Sequence, residues 1–166
     1  IVSNHQSHFD IFVLYGWLDI DFKWVMKQEL RKVPVIGIAC ERLGHIYVDR
    51  SNREAALASI NAAKQRIVDG TSVLFFPEGT RSRDNRMRPF KKGAFRMALD
   101  LQLPILPITI QGTRDILPSD TLDLFPGRVT MTIHPPIAVE DYDHTQLDSL
   151  IARTRQVIEA SDSARP

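Results

Sequence analysis

Short apolar runs and helix-patterned segments take turns along the chain, and this alternation limits what it can fold into more than any other feature. Ser72–Phe76 is the clearest run, mostly apolar and bounded by Gly70 and Pro77, the pattern of a buried strand. Ile1–Ser3, Phe22–Met26, His45–Val48, Ile105–Ile110 and Arg128–His134 read as further strands. The last is half-exposed, since Val129, Met131 and Ile133 alternate with polar neighbours. Ser7-His8-Phe9-Asp10 is a capping box that opens a helix to about Gly16, and Val33–Leu43 is a short apolar helix. Ser51-Asn52-Arg53-Glu54 is a second box, followed by Ala56, Ile60, Ala63 and Ile67 at helical spacing and by Gly70 as a stop. Helices over Gly93–Leu101 and from about Thr145 complete the set, the latter with Leu147, Leu150, Ile151, Thr154 and Ile158 on one face. The order predicts a single-domain α/β fold: a central, mostly parallel or mixed sheet flanked by helices on both faces.

Length and charge narrow the class. At 166 residues the chain suffices for one such domain and is short for two. Its 21 Lys and Arg against 20 Asp and Glu are unevenly placed: residues 1–96 hold sixteen basic and ten acidic side chains, residues 97–166 five and ten. No run approaches the roughly 20 apolar residues of a membrane span. Cys40 is the only cysteine, which excludes an internal disulfide and fits a reducing compartment; it reads as core. The sequence has no HExxH or clustered Cys/His spacing, so no metal is expected. It has no Gly-rich nucleotide loop, no G-x-S-x-G elbow and no basic tail suited to nucleic acid.

In α/β sheets chemistry collects at the carboxyl ends of strands, and four segments are informative. In Asn4-His5-Gln6-Ser7-His8-Phe9-Asp10, a histidine just past a strand has an acid five residues on, in the first helical turn. Folded together, Asp10 would orient the imidazole of His5 and leave one ring nitrogen as a general base. The plainer reading gives Asp10 to the helix start and His5 to a backbone group. In Phe76-Pro77-Glu78-Gly79-Thr80-Arg81 a strand ends in a turn that presents an acid, a hydroxyl and a guanidinium. Arg81 opens a band with Arg83, Arg86, Arg88, Lys91, Lys92 and Arg96 against the single acid Asp84, which suits an anionic substrate or is simply a solvated loop. Gly44–Arg50 delivers Arg50 to a strand end, equally a phosphate ligand or a partner of Asp49 or Glu54. Leu103-Pro104-Ile105-Leu106-Pro107-Ile108 carries two prolines, fitting a sheet edge, a bulge, a strand start or a wall for an acyl chain; the edge is the favoured reading.

Together, in order and spacing, these segments resemble the four motif blocks of the glycerolipid acyltransferase family, most of all bacterial lysophosphatidic acid acyltransferases. Lys27-Gln28-Glu29-Leu30 with Pro34 and Gly37 is similar to the family's segment between the first two blocks. The resemblance, covering roughly residues 1–140, implies transfer of an acyl group from acyl-CoA or acyl-carrier protein to the free hydroxyl of 1-acyl-glycerol 3-phosphate. It implies no cofactor and no covalent acyl-enzyme. His5 and Asp10 would be catalytic, Glu78, Gly79, Thr80 and Arg81 would bind the glycerol-phosphate head, and Arg50 and Lys27 would be further phosphate ligands. Pro104, Ile105 and Pro107 would mark an acyl pocket or supply backbone oxyanion donors. The family usually carries a hydrophobic segment upstream of the first block. Residues 1–166 are therefore expected to be an acyltransferase domain that works at the cytoplasmic face of the inner membrane, its anchor missing from this sequence. Rival expectations are another acceptor such as glycerol 3-phosphate or a different lysolipid, a thioester hydrolase, and a non-catalytic module that binds anionic lipid through the 81–96 band.

Overall fold

The computed structural model describes residues 1–49, 52–64, 71–82 and 86–162. Two compact units emerge, one of Ile1–Asp19 with Phe76–Pro166 and one of Ile20–Phe75.

The first unit is built on β1 (Val2–Ser3), β5 (Pro107–Gln111) and β6 (Thr130–Ile133), in the order β1-β5-β6. β1 runs parallel to β5, pairing Val2 with Pro107 and Ser3 with Ile108, while β6 is antiparallel to β5. The expected α/β class and mixed pairing are therefore seen, but β5 is central, which corrects the edge reading of its prolines. Pro107 is the first residue of the strand, where its missing N–H leaves no gap in the ladder. Its carbonyl accepts from His134 N at 3.0 Å, and the Leu106 carbonyl accepts from Val2 N at 2.9 Å. Ile108 and Ile110 are fully buried, in a core that also takes Leu14, Phe95, Leu150 and Ile158.

Four helices join this sheet: α1 (Phe9–Trp17), α4 (Gly93–Leu101), the single turn α5 (Thr113–Ile116) and α6 (Leu147–Asp162). The capping box at Ser7 forms with one change: Ser7 Oγ accepts from Phe9 N, and Asp10 Oδ2 accepts from Ser7 N. α4 has the expected bounds. Asp143 orders the turn that leads into α6, its Oδ1 accepting from the backbone N–H groups of Thr145 and Gln146. Its inner face holds Leu147, Leu150, Thr154 and Ile158, as the spacing predicts. Thr109 ties β5 to α6 by donating to the Ile158 carbonyl at 3.1 Å.

The second unit is a parallel sheet, β3-β2-β4, from β2 (Phe22–Lys27), β3 (Ile46–Val48) and β4 (Ser72–Leu74). α3 (Arg53–Lys64) is capped by Asn52, whose Oδ1 accepts from Glu54 N and Ala55 N. Ser51, Ile67 and Gly70 lie outside the described residues, as do the side chains of Ala56, Ile60 and Ala63. The apolar helix expected over Val33–Leu43 is shorter, α2 at Ile36–Arg42, preceded by a 3-10 helix at Gln28–Lys32. Pro34 accounts for the break, because a residue before proline avoids helical angles and Val33 is extended at φ −76°, ψ 121°. Cys40 is buried, while most of its apolar neighbours on α2 face solvent.

Asn4 continues the β1–β5 ladder with its side chain. Its Nδ2 donates to the Ile110 carbonyl and its Oδ1 accepts from Ile110 N, both at 2.8 Å. Asn4→Ala strands two buried backbone groups, so a loss of about 2–4 kcal/mol is expected in urea unfolding. A loss under about 1 kcal/mol would show that the pairing is dispensable.

Candidate active site

His5 follows β1 directly, in the turn that leads to α1. Its Nδ1 lies 2.7 Å from Asp10 Oδ2. A carboxylate oxygen only accepts, so Nδ1 carries the proton and Nε2 holds the lone pair. The Asp10 contact thus distinguishes the two ring nitrogens, which the sequence could not do. Asp10 has no solvent exposure, and its charge is met by four donors. Beside His5 Nδ1, Oδ2 accepts from Gln6 N at 2.8 Å and Ser7 N at 3.1 Å, and Oδ1 accepts from Thr113 Oγ1. Gly112 makes the last contact possible. It sits at φ +85°, where a Cβ would stand 2.1 Å from the Arg128 carbonyl oxygen, and it turns the chain from β5 into α5.

The segment after β4 grips His5 from the other side. Glu78 Oε1 accepts from His5 N at 2.8 Å, and Ser82 N donates to the His5 carbonyl at 2.9 Å. The imidazole stacks on the Phe76 ring, centroids 4.0 Å apart and planes at 17°. With 14% of the side chain exposed, the ring is fixed in direction and still open to a reactant. The arrangement can take a proton from a hydroxyl at Nε2 while Asp10 steadies the imidazolium that forms.

The Glu78-Gly79-Thr80-Arg81 turn divides its labour. Glu78 is 4% exposed, and its second oxygen accepts from Arg88 N at 2.8 Å. Both oxygens accept from backbone N–H groups, so the Glu78 side chain links the His5 backbone to that of Arg88. Gly79 has φ +75°, and a Cβ there would meet the Lys91 side chain at 2.8 Å. The positive φ is what favours glycine there, since the flexible lysine end could move aside. Thr80 is exposed. Arg81 makes a long hydrogen bond from Nη1 to the Ser119 carbonyl, 3.4 Å, and no carboxylate among the described residues pairs with it. Its charge is available to an anion.

Other expected residues fare differently. Arg50 lies outside the described residues. Lys27 ends β2 in the second unit, exposed, and is described with that unit. Ile105 N donates to the Ile137 carbonyl at 2.9 Å and Pro107 has no N–H, so neither is an oxyanion donor. Both lie at the amino end of β5, buried, with Pro104 exposed beside them; the site draws on the carboxyl end instead. Of the basic band, Lys92 pairs with Asp148 at 2.6 Å, and Arg83 is outside the described residues. Sequence reasoning missed Thr113, Ser82 and the stacking role of Phe76. Gly112-Thr113, a glycine and a hydroxyl just after a strand, was the available signal for the first.

Burial pushes the Glu78 carboxyl up to about 7, helped by the Asp10 charge and opposed by the N–H donors of Arg88 and His5 and by Arg155. A folded-state pKa above the ordinary 4.5 means the folded chain holds an extra proton between those values. That stability is complete below pH 4.5 and is lost as pH rises through about 7. Between pH 5 and pH 8 the wild-type chain should lose about 2–3 kcal/mol more stability than Glu78→Gln in urea titrations. Parallel curves for the two chains would contradict the assignment.

Comparison with known proteins identifies the family. The Acyltransferase family model matches residues 1–111, a span that holds His5, Asp10 and the Glu78–Arg81 turn. A 1-acyl-sn-glycerol-3-phosphate acyltransferase of Chlamydomonas reinhardtii is 36% identical over 161 residues, 96% of this chain and 47% of that protein. The chloroplastic BAT2 enzyme of Brassica napus, with the same printed activity, is 39% identical over 137 residues, 82% of this chain and 40% of that one. The crystal structure of the 1-acyl-sn-glycerophosphate acyltransferase PlsC from Thermotoga maritima superposes with a TM-score of 0.82 at 29% identity, covering 99% of this chain and 66% of that one. The chain spans about half the length of the relatives it matches. With its histidine, its acid and its arginine turn all inside the matched span, the chain belongs to the Acyltransferase family.

Proposed function

We propose that this chain carries the acyl-transfer centre of a 1-acylglycerol-3-phosphate acyltransferase, moving a fatty acyl group from an acyl-CoA or acyl-carrier-protein thioester to a lysophospholipid and giving phosphatidic acid. The observation that carries the reading is the His5–Asp10 pair at 2.7 Å, its Nε2 left for a reactant, with Arg81 one residue from the backbone contact that holds His5. The activity printed for the relatives supports it.

Nε2 of His5 takes the proton from the acceptor hydroxyl as that oxygen attacks the thioester carbonyl carbon. The tetrahedral intermediate then collapses, the C–S bond breaks, and the thiolate leaves with the proton returned by His5. The acceptor is itself the nucleophile, so no acyl-enzyme forms and no cofactor is required. Arg81 binds the phosphate, Gly79 and Thr80 shape the turn beside it, and Glu78 holds His5 in place. General-base help is worth about 10²–10⁴-fold, so positioning of the acceptor supplies much of the remaining acceleration. Because both substrates carry long acyl chains, the reaction takes place at a membrane surface.

Removing the base should be felt in turnover. His5→Ala is expected to lower kcat by about 10²–10⁴-fold in a thiol-release assay with lysophosphatidic acid present, with little change in the melting temperature. Near-normal turnover would end the mechanism. Arg81→Ala should raise KM for the phosphate-bearing acceptor by about tenfold or more and leave KM for the thioester nearly unchanged. An effect confined to the thioester would reverse the assignment of the pocket, and full thiol release without acceptor would mark a hydrolase.

A further inference from the structure

From Lys27 to Leu43 every residue is exposed except Gly37 and Cys40. Six of the exposed side chains are large and apolar: Leu30, Val33, Val35 (77%), Ile36, Ile38 (60%) and Leu43. We propose that this segment, the 3-10 helix, the turn at Val35 and α2, is a docking surface for a bilayer that contains anionic lipid.

Three observations carry this. First, the backbone pushes the apolar tip outward. Ile36 N donates to the Pro34 carbonyl at 2.7 Å, closing a three-residue turn with Val35 at its apex, φ +66° and ψ −55°. A β-branched residue is strained there, and such strain is retained where the exposed conformation serves a purpose. Second, the segment is held firmly from below, so the exposure is not fraying. The Gly37 carbonyl accepts from Tyr47 Oη at 3.0 Å, and Gly37 packs so closely on the Arg31 carbonyl that a Cβ would lie 2.2 Å from its oxygen. Third, the charge around the tip is positive. Lys27, Arg31, Lys32 and Arg42 outnumber Glu29 and Glu41, and Arg31 pairs with Glu41. Exposed apolar side chains in a segment of net positive charge match an interface where acyl chains meet anionic headgroups. The surface takes from the acyl-transfer reading only that the substrates are lipids.

The test reads binding, so it stands apart from turnover and can be repeated in the inactive His5→Ala chain. The wild-type chain should co-sediment with vesicles of phosphatidylcholine and phosphatidylglycerol, and less with phosphatidylcholine alone. Val35→Gly with Ile38→Ser should weaken binding about tenfold or more. Lys32→Glu with Arg42→Glu should weaken it mainly on the anionic vesicles. Val35→Gly removes the positive-φ strain, so the melting temperature should hold or rise while binding falls, which separates docking from misfolding. A fluorescent NBD label on Ile38→Cys in a Cys40→Ala chain should shift to the blue when vesicles are added. Wild-type-like binding by the double variants, or an NBD label that stays in water, overturns the proposal. So does a dimer in sedimentation velocity that the Val35→Gly, Ile38→Ser chain loses, since the surface would then pair two copies.

Discussion

Asp10 is a carboxylate with no access to water, and the first unit is arranged around meeting its charge. A buried carboxylate without donors is strongly unfavourable, and one that accepts several hydrogen bonds becomes a rigid node. Its donors come from two places far apart in sequence: the 5–7 turn, and Thr113, 103 residues downstream. The turn after β1 and the turn after β5 therefore cannot shift independently. Ser7 adds a second tie between the same regions by donating to the Leu117 carbonyl at 2.6 Å. Ser7, polar and fully buried, is thereby satisfied at both its backbone N–H and its hydroxyl, where an ordinary core would leave it a liability.

Against that node the histidine is held on three sides. Asp10 fixes the ring nitrogen, Phe76 fixes the ring plane, and the 78–82 turn takes both backbone groups of His5. The 86–90 segment, whose Arg88 N donates to Glu78, is secured from α6, where Arg155 Nη2 donates to the Met87 carbonyl at 2.9 Å and its guanidinium lies 6.0 Å from the Phe90 ring centroid. Glu78 is the compromise in this assembly. Two N–H donors favour its anion, burial favours its acid, and burial prevails. In the proposed reaction such restraint would aim the imidazole at one hydroxyl, because misdirection of a base by a small angle lowers the fraction of productive encounters.

Local patterns made much of this legible. The run 72–76, the bounds of α4, the inner face of α6 and the His5–Asp10 spacing all rest on interactions within a few residues. Gly112-Thr113 marked a hydroxyl at a strand end, but its partner was not legible, because nothing within ten residues of it points to an acid 103 positions away. The edge reading of Pro107 failed for a similar reason. A missing N–H says where a donor cannot be, but a strand start solves that problem as well as an edge does, and only the partners of β5 decide between them. Apolar spacing over 33–43 marked a face of α2 and could not say whether protein covers it. In Glu78 the sequence displayed an acid beside an arginine, while the backbone groups that occupy its oxygens are invisible without the fold.

The prolines of 104–107, which suggested chemistry, do their work through register. Proline biases the residue before it toward extended angles, so Leu106 enters β5 already straight, and its carbonyl receives Val2 N. Once Val2 stands opposite Pro107 and Ser3 opposite Ile108, the Asn4 side chain meets Ile110, and Gly112 and Thr113 follow at the level of Asp10. A slip of one residue would turn Ile108 and Ile110 toward the wrong face and carry Thr113 away from the carboxylate. The apolar half of the motif thus sets the position of a polar contact at the other end of the strand. Chemistry at the carboxyl ends of β1 and β5 depends on how their amino ends are locked.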